Sequence, residues 1–317
     1  MGTDGKDAES KPLSADEAFS LLGNEVRVEI LRGLGLAGQP LSFSELRRWV
    51  GYEDPGNFQY HLNKLTGHFV RKTEDGYELH QAGKRVVIAV LSGTITDHPP
   101  REQQDIDEPC PLCDEPIRVE LRPRGVAKYC TACDGLYETD PSKHSDTTED
   151  FGFLGILSLP PAGLRDRTPE EAYRAAQIWN NLKFMTLAHD LCGWCSGTLE
   201  HEVDVCEDHD ASEGRCDECG HRLPIWLRSA CTNCIVEHQT TVGARVYGRE
   251  EMQKFILDHG ADPVSSTASE RPPFDHEVLS TNPFEGKFIY RGIDETLEIT
   301  LDENLDVVDV SREPTKN

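Results

Sequence analysis

The stretch 54-DPGNFQYHLNKL-65 decides how the first part of this chain is read. Asp54 is suited to cap a helix N-terminus, because its carboxylate can accept from N–H groups that have no partner within the helix. Pro55 fits the first helical position, where the missing N–H costs nothing. Phe58, Leu62 and Leu65 recur at helical spacing and make one apolar stripe. The remaining positions include Asn57, Gln59, Tyr60, His61 and Lys64. Asn and Gln can bond an adenine edge bidentately, and Lys can meet guanine or phosphate, so this face has the side chains of a base-reading helix. The plain alternative is a polar face that meets only water.

Working outward, 14-SADEAFSLLGNEVRVEILRGLGLAG-38 puts Ala18, Leu21, Leu22, Val26, Ile30, Leu31 and Leu34 at helical spacing, with a break near Gly23. The next segment, 42-SFSELRRWVG-51, opens with Ser42 and Glu45 in capping-box register and stops at Gly51. After the opening stretch, 69-FVRKTEDGYELH-80 reads as a hairpin turning at Glu74-Asp75-Gly76, and 81-QAGKRVVIAVLSGTI-95 as a further apolar helix. Helices followed by a hairpin in this order define a winged helix-turn-helix, whose second turn-motif helix lies in the major groove. Arg71 and Lys72, in the hairpin, suit phosphates.

The phrases LLGNEVRVEILRGL, LSFSELRRWVG and NFQYHLNKL resemble the ArsR-like family of winged-helix regulators, a resemblance that covers roughly the first hundred residues. The resemblance implies that Asn57, Gln59, Tyr60, His61 and Lys64 face double-stranded DNA, while Phe58, Leu62 and Leu65 are core. It also implies a homodimer through a terminal helix, with Val86, Val87, Ala89, Val90 and Leu91 as candidates; the alternative is that this helix packs only within its own chain. The cysteine pair by which some ArsR proteins sense metals is absent from residues 1–100.

Charge sets the context. The chain holds 57 acidic against 32 basic residues, a formal −25, and 21 of the basic residues are Arg. Such an acidic, Lys-poor surface resembles the proteins of salt-in haloarchaea; the alternative is an acidic mesophilic protein that repels nucleic acid. Residues 14–98 escape this bias, with 11 acidic and 9 basic side chains, so nearly all the negative charge lies elsewhere. No run of 18 apolar residues exists, and the N-terminus MGTDGKDAESKPLSADE has no apolar core of a signal peptide. A cytoplasmic, reducing setting is expected, in which the 11 cysteines serve as metal ligands rather than disulfides.

The first cysteine group is 110-CPLC-113 with 130-CTAC-133, enclosing a strand-like IRVEL. Two knuckles brought together by a hairpin give the four thiolates of a closed Zn²⁺ site. A disulfide pair or an iron–sulfur cluster is the alternative. The second group is richer: 192-CGWC-195, 206-CEDH-209, 216-CDEC-219 and 231-CTNC-234. A sequential reading joins Cys192 and Cys195 with Cys206 and His209, and Cys216 and Cys219 with Cys231 and Cys234. An interleaved reading joins the first pair with the third and the second with the fourth. A one-zinc reading leaves Cys206 and His209 as bystanders. His201, His221 and His238 are expected at the surface.

Between the groups, Pro169–Ala188 reads as a helix, and after them 249-REEMQKFILDHG-260 as another. Residues 286–310 alternate as strands of a small antiparallel sheet. The expected architecture is α+β: a disordered tail over 1–13, a winged helix-turn-helix over 14–97, and a linker over 98–109. A first zinc ribbon follows over 110–160, then a helix with a second Cys-rich ribbon over 161–240. A helix with a small β region completes it over 241–317, frayed at its end. Ribbon, PPAGL turn, helix and second ribbon resemble the zinc-ribbon domains attached to haloarchaeal ArsR-like regulators.

No HExxH, GxxxxGK[ST] or GxSxG is present, so no enzyme is expected. The function expected is a zinc-stabilised, sequence-specific transcriptional regulator. Two alternatives stay open: an adaptor similar to archaeal TFE that contacts RNA polymerase, and a plain zinc-stabilised protein-interaction module.

Overall fold

The computed structural model describes residues 13–93, 101–123, 125–138, 152–212 and 214–314. The expected tail, apart from Leu13, residues 94–97 of the expected winged helix-turn-helix, 98–100 of the expected linker, 139–151 of the expected first ribbon and 315–317 of the expected frayed end lie outside this description. The chain divides into two compact units, Met1–Asp97 and His98–Asn317. Among the described residues no helix is long and apolar enough to cross a membrane.

In the first unit, capping chemistry sets the helix starts. Ser14 and Glu17 form a reciprocal capping box that opens α1 (Ala15–Leu22). Asn24 caps α2 (Glu25–Ala37), so the break falls at Gly23 as the sequence implies. Ser42 and Glu45 form a second box for α3 (Phe43–Val50), which ends where Gly51 takes a left-handed φ of +69°. Asp54 Oδ1 accepts from the Gly56 and Asn57 N–H groups at 2.8 and 3.2 Å and opens α4 (Pro55–Leu65). Strands β1 (Val70–Thr73) and β2 (Gly76–Leu79) pair antiparallel with Val70 opposite Leu79. The last helix, α5 (Gln81–Leu91), returns to the core. Ile30, Leu31, Leu46, Phe58, Leu62, Leu65, Val70 and Val87 are joined in one buried cluster. At Gly83 an added Cβ would run into the Phe69 carbonyl, so a glycine is what lets α5 close on the hairpin.

The second unit begins with an antiparallel meander of β3 (Gln103–Pro109), β4 (Pro116–Arg122), β5 (Gly125–Cys130) and β6 (Phe153–Ser158). The expected linker over 98–109 is corrected here. Residues 103–109 are a strand, because Ile106 pairs opposite Ile117 and both side chains are buried. A short α6 (Pro161–Leu164) leads to α7 (Pro169–Leu187), which lays Ala172, Tyr173 and Ala176 into the cluster formed by Val119, Leu121, Val126 and Leu157. Buried amides fix that helix further: Asn180 Nδ2 donates to the Ser158 carbonyl at 2.9 Å, and Asn181 Nδ2 to the Val264 and Ser266 carbonyls at 2.9 and 3.1 Å.

A three-stranded sheet of β7 (Leu199–Val205), β8 (Ile225–Cys231) and β9 (Glu237–Thr241) follows, then α8 (Gly243–Tyr247) and α9 (Glu250–Asp258). The closing sheet runs β10 (Phe274–Thr281), β11 (Phe284–Arg291), β12 (Glu295–Leu301) and β13 (Val307–Pro314). The sheet is wider than the strands expected over 286–310: residues 274–281 also form a strand, and pairing continues past 310 to Pro314, opposite Glu295. Packing continues across the boundaries expected at 160/161 and 240/241, at the first because Ala172, Tyr173 and Ala176 join the cluster of Leu121 and Leu157. One buried cluster runs from Leu187 and Cys192 through Leu227, Val246 and Phe255 to Phe288 and Leu297.

Candidate metal centres and a candidate nucleic-acid interface

Cysteine and histidine ligands gather in three groups of four: Cys110, Cys113, Cys130 and Cys133; Cys192, Cys195, Cys231 and Cys234; and Cys206, His209, Cys216 and Cys219. Within each group the ligand atoms lie within 4.8 Å of one another. All 11 cysteines are free thiols, and their separations test what each group could hold. Cys110 and Cys133 Sγ are 3.8 Å apart, Cys113 and Cys130 3.5 Å, Cys192 and Cys234 3.8 Å, and Cys195 and Cys231 3.5 Å. A disulfide needs about 2.05 Å. Four thiolates at about 2.3 Å from a tetrahedral Zn²⁺ have S···S edges of about 3.8 Å, which these separations match. For the mixed group, Zn–N near 2.05 Å gives an N···S edge of about 3.6 Å, and His209 Nδ1 lies 3.5 Å from Cys219 Sγ.

His209 is turned for this task. Its Nε2–H donates to the Arg222 carbonyl at 3.3 Å, which leaves the Nδ1 lone pair toward the three cysteines. The knuckles supply N–H groups to the sulfurs: Leu112 to Cys110 at 3.5 Å, Cys133 to Cys130 at 3.2 Å, Gly197 to Cys195 at 3.4 Å, and Asn233 to Cys231 at 3.4 Å. At Cys195 the Asn233 side-chain amide adds a further donor at 3.6 Å. That amide and the Gly197 N–H draw the thiol down to about 6. With four protein ligands each, the groups leave no open position for water, so they suit a structural ion.

The pairing in the second cysteine group differs from every arrangement expected from the sequence: it is nested, first pair with fourth and second with third. The reason is the β7–β8 hairpin, which places Leu199 opposite Cys231 and Val205 opposite Ile225. Cys192 and Cys195 therefore meet Cys231 and Cys234 at the open end. Cys206, His209, Cys216 and Cys219 all lie on the connection at the other end, roughly 20 Å away for seven strand residues. Two strand-like runs, LEHEVDV and IWLRSAC, flank that connection in the sequence, and a hairpin between them would have signalled the nesting.

The nested group docks on the first ribbon. Arg215 N–H reaches Asp134 Oδ2 at 2.8 Å, and its guanidinium reaches the Asp134 and Tyr137 carbonyls at 2.9 and 2.6 Å. His221, expected at the surface, instead packs its ring 4.4 Å from Trp226. His201 is likewise not a surface residue: Nδ1 lies 2.8 Å from Ser229 Oγ and Nε2 2.9 Å from Asp190, beside the buried Arg245 guanidinium. His238 is half-buried.

On α4 the exposed face carries Asn57, Tyr60, Asn63 and Lys64, with Gln59 at its half-buried margin. Asn63 was not singled out from the sequence, although it falls one turn beyond Gln59 and Tyr60. The face is partly ordered by its own contacts. Asn57 Nδ2 donates to Tyr52 Oη and Gln59 Nε2 to Asn63 Oδ1, both at 2.7 Å, and Lys64 Nζ lies 5.6 Å above the Tyr60 ring. In the hairpin, Lys72 is exposed and Arg71 pairs with Glu78 at 2.9 Å. Because that pair is exposed it is worth at most about 1 kcal/mol, and a phosphate could replace it.

His61 is corrected: it does not face outward but is 8 % exposed, with its ring against Tyr52 and Tyr60 and Nδ1 unpartnered. Helical spacing puts it beside Phe58, Leu62 and Leu65, on the edge of the apolar stripe. Burial, with Arg27 nearby, holds its pKa below the ordinary 6.5. The unfolded chain therefore takes up a proton before the folded one does. Stability of the first unit is full above pH 6.5 and falls as pH drops through the lower folded value. Replacing His61 with Phe is expected to flatten that acid-side slope in urea titrations of the full chain. An unchanged slope would assign it to other groups.

The fold and sites so far define an α+β protein with a small helical unit and a larger unit built around three four-ligand centres. A family model described as domain of unknown function (DUF7351) matches residues 107–307. The chain belongs to that family. A second model, also described as a domain of unknown function (DUF7347), matches residues 15–90, so the two matches fall on the two units. No curated protein matches the chain.

Proposed function

We propose that this protein is a sequence-specific, double-stranded-DNA-binding transcriptional regulator, with zinc in its three centres and no catalytic role. The first unit would act as a winged helix-turn-helix, α4 in the major groove and the β1–β2 hairpin against the backbone. The observation that carries this reading is the outward face of α4, where Asn57, Tyr60, Asn63 and Lys64 are exposed in a unit nearly free of net charge. A second unit that carries almost all of the −25 would be repelled by phosphate, so DNA contact is assigned to the first. Exposed Ile88 and Leu91 on α5 support a dimer through that helix. Val87, by contrast, is spent on its own core.

Selection from a random duplex library by the full-length protein, at molar KCl with zinc, tests the reading. In such salt the phosphate contribution is small and base contacts must dominate. Enrichment of a palindrome is expected. Asn57→Ala and Gln59→Ala should then weaken the selected site by about 1–3 kcal/mol while leaving non-specific binding unchanged. Equal losses on both DNAs would remove the base-readout claim. No enriched motif from folded, zinc-loaded protein would favour an adaptor that contacts RNA polymerase or another protein.

A further inference from the structure

Away from the three cysteine centres, the end of α9 meets the closing sheet at a groove of about 450 Å³ lined by Asp258, His259, Asp294, Glu295, Arg312 and Glu313. Acidic residues alone would say little in so acidic a chain, but His259 is different. Its side chain is only 9 % exposed, although it lines the groove. Nδ1 lies 2.8 Å from the Phe255 carbonyl, which can only accept, so Nδ1 carries the ring proton. Nε2 is then a bare lone pair, and it has no hydrogen-bond partner.

The nearest charged group is Asp294, whose Oδ1 stands 3.6 Å from Nε2. Two acceptors thus face each other, and something positive belongs between them. A proton fits poorly, since 3.6 Å is too long for an N–H···O hydrogen bond. A metal ion fits: two bonds of about 2.1 Å span that separation at an angle of roughly 120°. A carbonyl gripping the far nitrogen of the ring is also how metal-ligating histidines are oriented. The ring is held in place by Phe255, 4.2 Å away, and by Gly292, where an added Cβ would run into the imidazole. The one cation in the groove, Arg312, is already shared between Asp258 at 2.7 Å and Glu295 at 3.3 Å. Glu313 makes no ion pair among the described residues and supplies a further carboxylate to the same groove.

We propose that His259 Nε2 and Asp294 form a fourth metal site at this groove, selective for a divalent ion of imidazole–carboxylate preference. The other three centres are thiolate-rich, whereas this one offers an imidazole and a carboxylate. It does not rest on the DNA-binding reading.

Mn²⁺ is the probe, because it prefers oxygen and nitrogen donors and competes poorly for thiolate sites already filled with zinc. Zinc-loaded full-length protein is titrated with Mn²⁺ in molar KCl, which screens diffuse binding to surface carboxylates. Loss of the free-ion EPR signal reports binding. One equivalent is expected to bind, with paramagnetic broadening of the His259 ring resonances. Asp294→Asn alters a side chain that is 87 % exposed and so leaves the fold intact. It should weaken the site at least about tenfold, the scale on which metal sites lose affinity when a supporting group is removed. His259→Gln should weaken it at least as much. Binding of Mn²⁺ equally to the wild type and Asp294→Asn, without broadening of His259, would overturn the proposal, as would no binding at all.

Discussion

Chelating the metal from the intact chain is expected to unfold the second unit while α1–α5 keep their structure. The cysteine ligands are part of the fold rather than attachments to it: Cys110, Cys130, Cys192 and Cys216 are buried, and the first three belong to the same clusters as the β-sheet cores. A structural zinc site in a small domain binds with an apparent free energy of about 10–16 kcal/mol at pH 7. A whole domain is stable by only about 5–15 kcal/mol. Losing even one site is therefore comparable to losing all the net stability. The first unit has no cysteine and closes its own apolar core around Ile30, Leu46, Phe58 and Leu62. Hydrogen exchange of the chelated protein should show β4, β5 and β8 losing protection and α2 and α4 retaining it. If zinc leaves stoichiometrically and the strands stay protected, the centres do not hold the fold. Cys216→Ser, which touches only the nested group, should first free the connection 206–224 and its Arg215 contacts to Asp134.

The second large effect is expected at Arg245. Its side chain is 3 % exposed, and it donates to the Leu187 carbonyl at 3.0 Å, the Leu305 carbonyl at 3.4 Å and Asp190 at 2.5 Å. These partners come from the end of α7, from the turn after it and from the β12–β13 turn, so a single guanidinium ties the helix to the closing sheet. Arg245→Met keeps most of the volume and removes every donor. The Leu187 carbonyl then keeps only the Asp190 N–H at 3.2 Å and the Leu305 carbonyl only the Arg249 guanidinium at 3.0 Å, while Asp190, being 49 % exposed, can recover water. Breaking a fully buried pair costs about 3–5 kcal/mol. With one partner half-exposed and both carbonyls still holding a second donor, the expected loss is at most the bottom of that range, about 3 kcal/mol. Arg228 offers the control. It pairs with Glu202 and Asp204 in the open, at 54 % exposure. Arg228→Met should cost less than about 1 kcal/mol, and less still in salt. Urea midpoints of the zinc-loaded protein compare the two; equal shifts would mean that Arg245 does no more than a surface charge.

Much of the first unit was legible. Ser14 with Glu17, Ser42 with Glu45, and Asp54 with Pro55 are local devices whose partners lie within three or four residues, so spacing alone locates them. The apolar stripe of Phe58, Leu62 and Leu65 is equally local. His61 misled because it sits at the edge of that stripe, where a ring can turn either way, and the neighbouring Tyr52 and Tyr60 rings cover it. The ends of the second unit were read worse. Strand β3 reads as linker because QQDIDEP carries one apolar residue that packs, Ile106, and its pairing with β4 is invisible without the partner strand. Strand β10 hid in the same way behind DHE.

What the sequence alone determined is the chemistry: which residues can hold metal, where helices begin and end, and that 14–98 carries almost none of the net negative charge. Those properties depend on a residue's type and its neighbours along the chain. The tertiary structure alone decided partnership: Cys192 with Cys234 across the β7–β8 hairpin, Arg215 with Asp134, and His259 with Asp294 across the groove. Each of these pairs joins residues far apart in sequence. Cysteine spacing is the same for sequential, interleaved and nested arrangements, and only the strand register distinguishes them.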